Sequence, residues 1–170
     1  YIRKSVLAFN LPSVELINYE ADDLIATYTD KILNAGAKVT IVSSDKDLMQ
    51  LYKNCVRIYD PMKNKFISEE DIKNKFGVNS NKVIDVQALA GDSSDNVPGV
   101  PGIGIKTAAE LINKYGSLEK LLSSASEIKQ NKRRETLIEN KDKAIISKKL
   151  VTLKHDAPVD RDLNEFRLKE

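Results

Sequence analysis

Cysteine, histidine and long apolar runs are the scarcest features of this 170-residue sequence. The single cysteine, Cys55, excludes an internal disulfide and fits a reducing compartment; its setting, NCVRIYD, is typical of a strand, so we expect a buried structural thiol. The single histidine, His155, leaves no Ser/His/Asp triad or histidine-rich zinc site, and we expect a structural role for it.

No apolar run is long enough to span a bilayer and no signal-peptide pattern opens the sequence, which predicts an intracellular, cytoplasmic protein without a membrane partner.

The composition is that of a chain that can bury a core, but the charges are unevenly distributed. Hydrophobic residues make up 41% and charged residues 31%, with a net charge of +2. Residues 15–30 hold five acids and no lysine or arginine, whereas residues 106–154 hold twelve basic and six acidic residues. This asymmetry indicates an acidic site beside a surface that attracts an anion. A basic helix that is merely soluble explains the second segment equally well.

Helical and strand patterns alternate along the first half of the chain. We predict strands at residues 38–43 (KVTIVS) and 56–59, with a turn at Asp60-Pro61 after the second strand. Helices are predicted at residues 20–34, 45–51 and 81–90, and a further helix begins at Ser68 with a capping pattern. This βα organisation predicts a mostly parallel sheet flanked by helices. Beyond it we predict helices at residues 107–114, 117–122 and 133–149, the last with an apolar stripe of Leu137, Ile138, Ile145 and Ile146, and a possible return strand at residues 150–154.

Seven carboxylates fall at the ends of predicted elements: Glu20, Asp22 and Asp23 at a helix start, Asp45 and Asp47 after the strand at 38–43, and Asp92 and Asp95 after the helix at 81–90. In open α/β sheets, sites gather at the carboxyl ends of strands. Each group also has a structural alternative. Acids in a first turn complement the helix dipole, Ser44 and Asp47 have capping-box spacing, and GDSSDN can form an Asx turn.

Taken together, the three acidic groups favour a metal site. Seven carboxylates in one cleft repel one another unless cations lie between them. Hard divalent cations prefer oxygen ligands, so Mg²⁺ or Mn²⁺ fits a site without histidine or cysteine. Two such cations about 3.5–4 Å apart activate a water and stabilise the leaving oxygen of a phosphodiester.

Four of the seven glycines lie in one stretch, GDSSDNVPGVPGIG, at residues 91–104. In VPGVPGIGIKTAAELI, Gly102 and Gly104 let the backbone turn closely and expose N–H groups at the start of the next helix, where amides and dipole can hold a phosphate. Lys106 adds a point charge. PGIG followed by Lys-Thr-Ala and an apolar helix is the sequence form of a helix-hairpin-helix, with an ordinary interhelical turn as the structural alternative.

The sequence resembles, in four ordered blocks, the 5′ nuclease (5′-to-3′ exonuclease) domain of bacterial DNA polymerase I, in the flap endonuclease superfamily. The blocks are YEADD, SSDKDLMQL, YDPMKNKFISEED and GDSSDNVPGVPGIGIKTAAELINKYGSLEKLL, and the match covers residues 11–158. The resemblance implies an α/β fold with a PIN-like parallel-sheet nuclease core and an all-α helix-three-turn-helix (helix-hairpin-helix) DNA-binding element. It also implies hydrolysis of DNA or RNA near a 5′ end or flap, with two divalent cations, in replication and repair.

The resemblance implies a role for each candidate residue. Glu20, Asp22 and Asp45 resemble ligands of the first metal and Asp47, Asp92 and Asp95 ligands of the second, while Asp23 has an outer-shell role. In the family the hairpin grips the duplex backbone and often holds a potassium ion on its carbonyls. This implies DNA contacts at Gly99, Gly102, Ile103, Gly104, Lys106 and Thr107, and K⁺ at Val100, Ile103 and Ile105. Because contacts to the DNA backbone read no bases, binding to duplex or 5′-flap DNA should be independent of sequence, and it should weaken with salt. We expect the protein to be associated with the nucleoid.

The same resemblance predicts the domain organisation. We expect a nuclease core at residues 1–96, a helix-hairpin-helix region at 97–149, and a return strand with a C-terminal tail at 150–170. Family members begin with a strand carrying an aspartate ligand, a second aspartate loop and a helical arch, whereas YIRKSVLAFNLPS resembles the end of that arch. We therefore expect an N-terminally shortened piece of a longer polypeptide, weakly active or inactive alone, monomeric, with linked polymerase domains in the parent chain.

Two alternatives remain open from the sequence. A non-catalytic helix-hairpin-helix module would bind duplex DNA and use its acids only as caps. A stand-alone 5′ nuclease would have the same site without a polymerase. A single-strand RNA nuclease of the wider PIN group does not explain the hairpin.

Overall fold

Helices dominate the computed structural model, which describes residues 1–167. The α-helices are α1 (Ile2–Ala8), α2 (Ala21–Asn34), α3 (Glu69–Phe76), α4 (Val83–Ala90), α5 (Ile105–Tyr115), α6 (Leu118–Ser123), α7 (Asn131–Glu139) and α8 (Lys141–Val151). The strands are β1 (Val39–Val42), β2 (Val56–Asp60) and β3 (Lys65–Ile67), and short 3₁₀ helices lie at Asp47–Leu51, Ser80–Lys82, Ala125–Glu127 and Leu163–Phe166. None of the helices within residues 1–167 combines the length and apolar composition that crossing a membrane requires.

The chain divides into two compact units: a smaller one of Tyr1–Val39 with Leu153–Glu170, and a larger one of Thr40–Thr152. The predicted domain boundaries at 96 and 149 differ from this division and remain predictions. The last three residues of the predicted tail, 168–170, lie outside the described residues.

The larger unit contains a three-stranded sheet of order β1-β2-β3. β2 and β3 are antiparallel, with Ile58 opposite Ile67, so the sheet includes a hairpin that the sequence pattern did not predict. The predicted turn at Asp60-Pro61 joins them: the buried Asp60 carboxylate accepts hydrogen bonds from the amides of Met62 (3.0 Å) and Lys63 (3.2 Å). β3 escaped prediction because it has three residues, of which only Ile67 is buried.

Helix α4 forms the centre of the larger unit. Its sequence, VIDVQALA, is apolar around most of its circumference, and such a helix is stable only when surrounded by protein. It packs against α5 and α8, and Val83, Val86 and Leu89 are fully buried. Because α4 ends at Ala90 and its C-cap, Gly91, directly precedes Asp92, this element also positions one of the acidic loops.

The predicted helix at residues 133–149 is two helices, and the predicted strand at 150–154 is wrong. Asn140 separates α7 from α8: its side chain donates to the Thr136 carbonyl (2.9 Å) and its own carbonyl accepts from the Ala144 amide. Of the predicted stripe, Leu137 is buried while Ile138, Ile145 and Ile146 are exposed. Residues 150 and 151 complete α8, and Thr152 follows as its C-cap.

Cys55 is exposed, so the prediction of a buried thiol is wrong. The residue precedes β2 and has a φ of 67° in the turn that closes the Lys53–Val56 bridge. The alternating burial of the strand begins one residue later, at Val56. The strand-like composition of NCVRIYD therefore matches β2 from Val56 onward. The first two residues of the stretch, Asn54 and Cys55, precede the strand.

The smaller unit is held together by α2 and the segment at residues 154–159, which we call the strap. The Asp23 carboxylate accepts from the Lys154 amide (2.8 Å), Thr27 bonds both Lys154 and Ala157, and Lys31 donates to the Val159 carbonyl (2.7 Å). His155 lies 2.6 Å from Asp30, in the structural role expected for it. An apolar cluster of Leu24, Ala157 and Val159 lies beneath these polar contacts.

Candidate functional site

Asp92 and Asp95 meet the ammonium group of Lys46 in the larger unit. Lys46 forms an ion pair with Asp92, and its Nζ lies 4.0 Å from Asp95 Oδ2. Lys46 stands between Asp45 and Asp47 in the loop after β1, so two segments far apart in sequence meet here. The hydrogen bond to Asp92 raises the pKa of Lys46, and the same contact lowers the pKa of Asp92.

Local hydrogen bonds hold Asp45 and Asp47 at the end of β1. The Ser43 hydroxyl accepts from the Asp45 amide (3.0 Å), and Asp45 Oδ1 accepts from the Asp47 amide (2.9 Å). These bonds lead into the 3₁₀ helix Asp47–Leu51, which has no side-chain hydrogen bond from its N-cap residue. The cap-like role considered for Ser44 with Asp47 is therefore taken by Asp45.

Asp47 is held from a second direction by Gln87 of α4. The Gln87 amide nitrogen donates to Asp47 Oδ1 at 2.6 Å, and only 4% of Gln87 is exposed. Burial raises the pKa of Asp47, and the carboxylates of Asp45 and Asp95 raise it further, against the opposing effects of Gln87 and Lys46. Gln87 Oε1 is buried and has no hydrogen-bond partner within residues 1–167.

The loop at residues 92–97 is closed by its own backbone. Asp92 and Val97 exchange two backbone hydrogen bonds of 2.9 and 2.8 Å, and Asp92 Oδ1 accepts from the Ser94 amide (3.0 Å). The Asx turn considered from the sequence is therefore present. The turn uses Asp92 Oδ1, whereas Oδ2 contacts Lys46. The turn therefore orients the carboxylate and leaves its second oxygen for another contact.

The donor atoms suit a hard cation in type. In the described part of the chain no three or more His, Cys, Asp or Glu side chains are arranged as a metal-binding group. The aspartates nevertheless offer only oxygen donors, and the ammonium group of Lys46 contacts Asp92 and lies near Asp95. These aspartates therefore match a hard divalent cation in the type of their donor atoms.

An open depression of about 460 Å³ adjoins these residues and is lined by Ser43, Ser44, Asp45, Lys46 and Lys75. Burial and then the nearby ammonium groups of Lys63 and Lys46 lower the pKa of Lys75. The sequence reasoning missed Lys46, Lys75 and Gln87. The signal for Lys46 was its place inside SSDKDL, and that for Gln87 was a neutral polar residue in an apolar helix.

The remaining candidate ligands belong to the smaller unit. Glu20 is the exposed N-cap residue of α2 without a side-chain capping bond, and Asp22 and Asp23 lie in the first turn. Asp23 accepts the amide of Lys154 in the strap, which gives it a structural task. The metal roles of these three residues remain predictions.

The glycine hairpin, residues 97–104, is anchored to the core on one side. The amide of Gly99 donates to the buried hydroxyl of Ser147 (2.9 Å), the amide of Val100 donates to the Leu89 carbonyl (2.8 Å), and Ile103 is buried. Gly99 is thus a packing position in this structure, although it was a candidate for DNA contact. The carbonyl of Val100, a candidate for K⁺, accepts from the Ile103 amide (3.0 Å).

The other side of the hairpin is open. Gly102 has a φ of 74°, and neither Gly102 nor Gly104 has an atom within 4 Å of the position a Cβ would take. Gly104 is the N-cap of α5, where Lys106 is exposed and Thr107 half-buried. A depression of about 240 Å³ joins this turn to α7 and is lined by Pro101, Gly102, Ile103, Thr107, Gln130, Lys132, Arg133 and Thr136. Lys132 and Arg133 are cationic groups that the sequence reasoning did not single out.

Two family models match the chain, one over each half. The model described as 5′-3′ exonuclease, N-terminal resolvase-like domain, matches residues 1–77, and the model described as 5′-3′ exonuclease, C-terminal SAM fold, matches residues 78–170.

Two curated relatives share extensive sequence with the chain. DNA polymerase I of Rhizobium leguminosarum is 55% identical over 167 residues, which cover 98% of this chain and 16% of that protein. The 5′-3′ exonuclease of Buchnera aphidicola is 39% identical over 89% of this chain and 55% of that protein. The chain therefore spans about a sixth of the polymerase and about half of the exonuclease.

A solved structure shares the fold. The flap endonuclease of bacteriophage T5, crystallised as a pseudo-enzyme–product complex with DNA and metal ions, superposes with a TM-score of 0.77 at 22% identity. The match covers 87% of this chain and 55% of that chain. The PIN-like α/β nuclease fold expected from the sequence is confirmed.

Proposed function

Since the chain belongs to the 5′-3′ exonuclease family, we propose that it provides a metal-dependent 5′ nuclease that hydrolyses phosphodiester bonds near a 5′ end or flap of DNA. The observation that carries this proposal is that Lys46, between Asp45 and Asp47, pairs with Asp92, whose loop leads into the glycine hairpin. The proposed metal ligands and the proposed DNA-contacting hairpin therefore belong to the same unit. DNA in the complex of the T5 relative supports the choice of substrate.

The cations we propose are Mg²⁺ or Mn²⁺, held by Asp45, Asp47, Asp92 and Asp95. Two such cations, when bound, activate a water and stabilise the leaving oxygen of a phosphodiester. The protein contributes orientation: Gln87 and Asp45 hold Asp47, and the Asx turn holds Asp92. Lys46 neutralises Asp92 until a cation takes its place. K⁺ on the hairpin carbonyls of Val100, Ile103 and Ile105 remains part of the proposal.

The duplex contacts that we propose lie on the open side of the hairpin. The first amides of α5 and Lys106 can hold one phosphate, because helix N-termini favour anions. Lys132 and Arg133, across the depression from Gly102, can hold a second. Contacts of this kind position a duplex without reading its sequence.

The decisive variant is the double change Asp92→Asn/Asp95→Asn in the full-length protein as its gene encodes it. We expect Mn²⁺ binding, followed by the EPR signal of free Mn²⁺, to weaken at least about 100-fold and cleavage of a labelled 5′-flap duplex to be lost, because two anionic oxygen donors disappear. The matched control, Asp142→Asn/Asp156→Asn, removes the same charge from exposed positions and should change neither quantity.

The non-catalytic DNA-binding module remains the alternative, favoured by the Lys46 ion pair that already neutralises Asp92. It predicts a different result for the same variant. If Mn²⁺ affinity is unchanged and duplex binding tightens through lost repulsion, the acids serve only as structural groups and the nuclease proposal is wrong.

We further propose that this nuclease works beside a covalently linked polymerase. The support is that the relative that is 55% identical to the chain is a DNA polymerase I. Primer extension by the full-length protein tests this. Flap cleavage without any primer extension would assign the chain to the stand-alone class.

A further inference from the structure

Gln87 is a buried polar side chain that contacts one of the proposed metal ligands. It lies on α4 among Val86, Ala88 and Leu89, which are fully buried apolar residues. Its amide nitrogen donates to Asp47 Oδ1 at 2.6 Å. The bond crosses from the central helix to the loop after β1.

Fold stability does not explain a glutamine at this position. Gln87 Oε1 is buried without a hydrogen-bond partner in the described part of the chain, and a buried unpaired carbonyl oxygen is unfavourable. A leucine of similar volume would fill the space without this penalty. What leucine cannot do is donate a hydrogen bond to Asp47.

Two hydrogen bonds together determine how Asp47 is presented. Its backbone amide is bound by Asp45 Oδ1, and its carboxylate Oδ1 is bound by Gln87. With one carboxylate oxygen restrained from α4, the rotation of the side chain is restricted and Oδ2 is left for another partner. Groups that hydrogen-bond a metal ligand restrict its orientation and raise metal affinity.

We propose that Gln87 is a positioning residue that orients the Asp47 carboxylate towards the divalent cation. This inference rests on the proposed nuclease function and deepens it, because it assigns to the central helix a task in metal binding. Gln87 itself does not touch the cation or the DNA in this proposal; it acts through Asp47.

The test is a double-mutant cycle on Mn²⁺ affinity in the full-length protein, with EPR of free Mn²⁺ as the readout. We expect Gln87→Leu to raise the dissociation constant about 10- to 100-fold, the range typical of outer-shell partners. In the background of Asp47→Ala, the same leucine change should have an effect of less than about twofold, because the carboxylate on which Gln87 acts is absent.

Thermal unfolding without metal separates positioning from folding. We expect the melting temperature of Gln87→Leu to stay within about 3 °C of the wild type, since the lost hydrogen bond is offset by removal of the unpaired oxygen. The control Leu121→Ala, at a fully buried residue of α6, should lower the melting temperature by several degrees and leave Mn²⁺ affinity unchanged. Gln87→Met repeats the test with an unbranched side chain if leucine disturbs the core.

The possible failures are distinguishable. If the wild type binds Mn²⁺ and Gln87→Leu binds it equally well, the positioning role is wrong and the nuclease proposal stands. An equal loss of affinity in the Asp47→Ala background also overturns it, since Gln87 would not be acting through Asp47. If the wild type binds no Mn²⁺, the proposed function fails together with this inference.

Discussion

Gly91 and Gly99 approach each other where the chain passes from the acidic loop to the hairpin. Gly99 has a φ of 59°, and a Cβ on it would lie 2.4 Å from the Gly91 nitrogen. A Cβ on Gly91 would in turn lie 2.8 Å from the Val97 carbonyl oxygen. The position of the acidic loop relative to the hairpin therefore depends on glycine at both Gly91 and Gly99.

Gly99→Ala should destabilise the protein by about 2–3 kcal/mol, because it combines a left-handed backbone conformation with a backbone clash. Gly104→Ala is the control: its φ is not positive and the Cβ position is empty, so the expected loss is at most about 1 kcal/mol, from a poorer N-cap. Urea unfolding measures both. Equal losses at the two positions would contradict the close approach.

Individual elements carry ionic contacts that make their stability depend on pH. Helix α3 begins with a reciprocal capping box in which Ser68 Oγ accepts from the Asp71 amide and Asp71 Oδ2 accepts from the Ser68 amide. Lys65 of β3 lies 2.6 Å from the other Asp71 oxygen. The hydrogen bond from Lys65, followed by those from Ser68, lowers the pKa of Asp71 to about 2.

Asp71→Asn should lower stability at neutral pH, and the difference from wild type should disappear in acid. Because the folded pKa of about 2 lies below the unfolded value of about 3.9, the contribution of Asp71 is complete above the unfolded pKa and is lost as the pH falls towards 2. Urea midpoints at pH 6, 4 and 3 should converge. Glu70→Gln, an exposed change in the same turn, leaves the box intact; if it shows the same convergence, Asp71 is not the cause.

At the scale of the whole molecule, the uneven charge of the sequence is divided between different helices. The basic stretch at residues 106–154 forms α5 to α8, and its Lys132 and Arg133 flank the hairpin. The acidic stretch at residues 15–30 forms α2 and the segment before it. Opposite charges separated along the chain are thus presented by different helices.

The affinity for duplex DNA should fall as the salt concentration rises. The double variant Lys132→Ala/Arg133→Ala should make this salt dependence weaker. Each neutralised phosphate contributes a slope of about 0.9 in a plot of log affinity against log salt, so we expect the slope to fall by about 1–2. Fluorescence anisotropy with two unrelated duplexes should show the same loss on both. Lys120→Ala/Lys143→Ala, at exposed positions of α6 and α8, should leave the slope nearly unchanged. If the slope changes equally in both variants, the depression is not part of the DNA-binding surface.

Several elements were predictable because their signals are local. The helical pattern of α2, the β-branched residues of β1 and the capping pattern of α3 act within a few residues. The break at Asn140 was missed because the apolar stripe of residues 137–146 continues across it, although the hydrogen bonds of Asn140 to Thr136 and Ala144 are local. Cys55 was misplaced for a similar reason, since one residue of turn geometry moved it outside β2.

The candidate site was predictable in its aspartates but not in its partners. Asp45, Asp47, Asp92 and Asp95 follow recognisable elements, so their candidacy came from spacing and resemblance. Lys46, Gln87 and the pairing of Asp23 with the strap depend on contacts between residues 40 or more positions apart. No local pattern records such contacts.

By itself, the sequence determined the family, the element types and the residue classes of the site, because motif order, periodicity and carboxylate chemistry are properties of short stretches. Only the tertiary structure decided which of those residues meet. Lys46 reaches Asp92, and Gln87 reaches Asp47, because α4 is buried at the centre of its unit and carries both its own side chains and the following loop to the end of β1. Packing of a core acts over the whole fold, and its outcome is not encoded in any one segment.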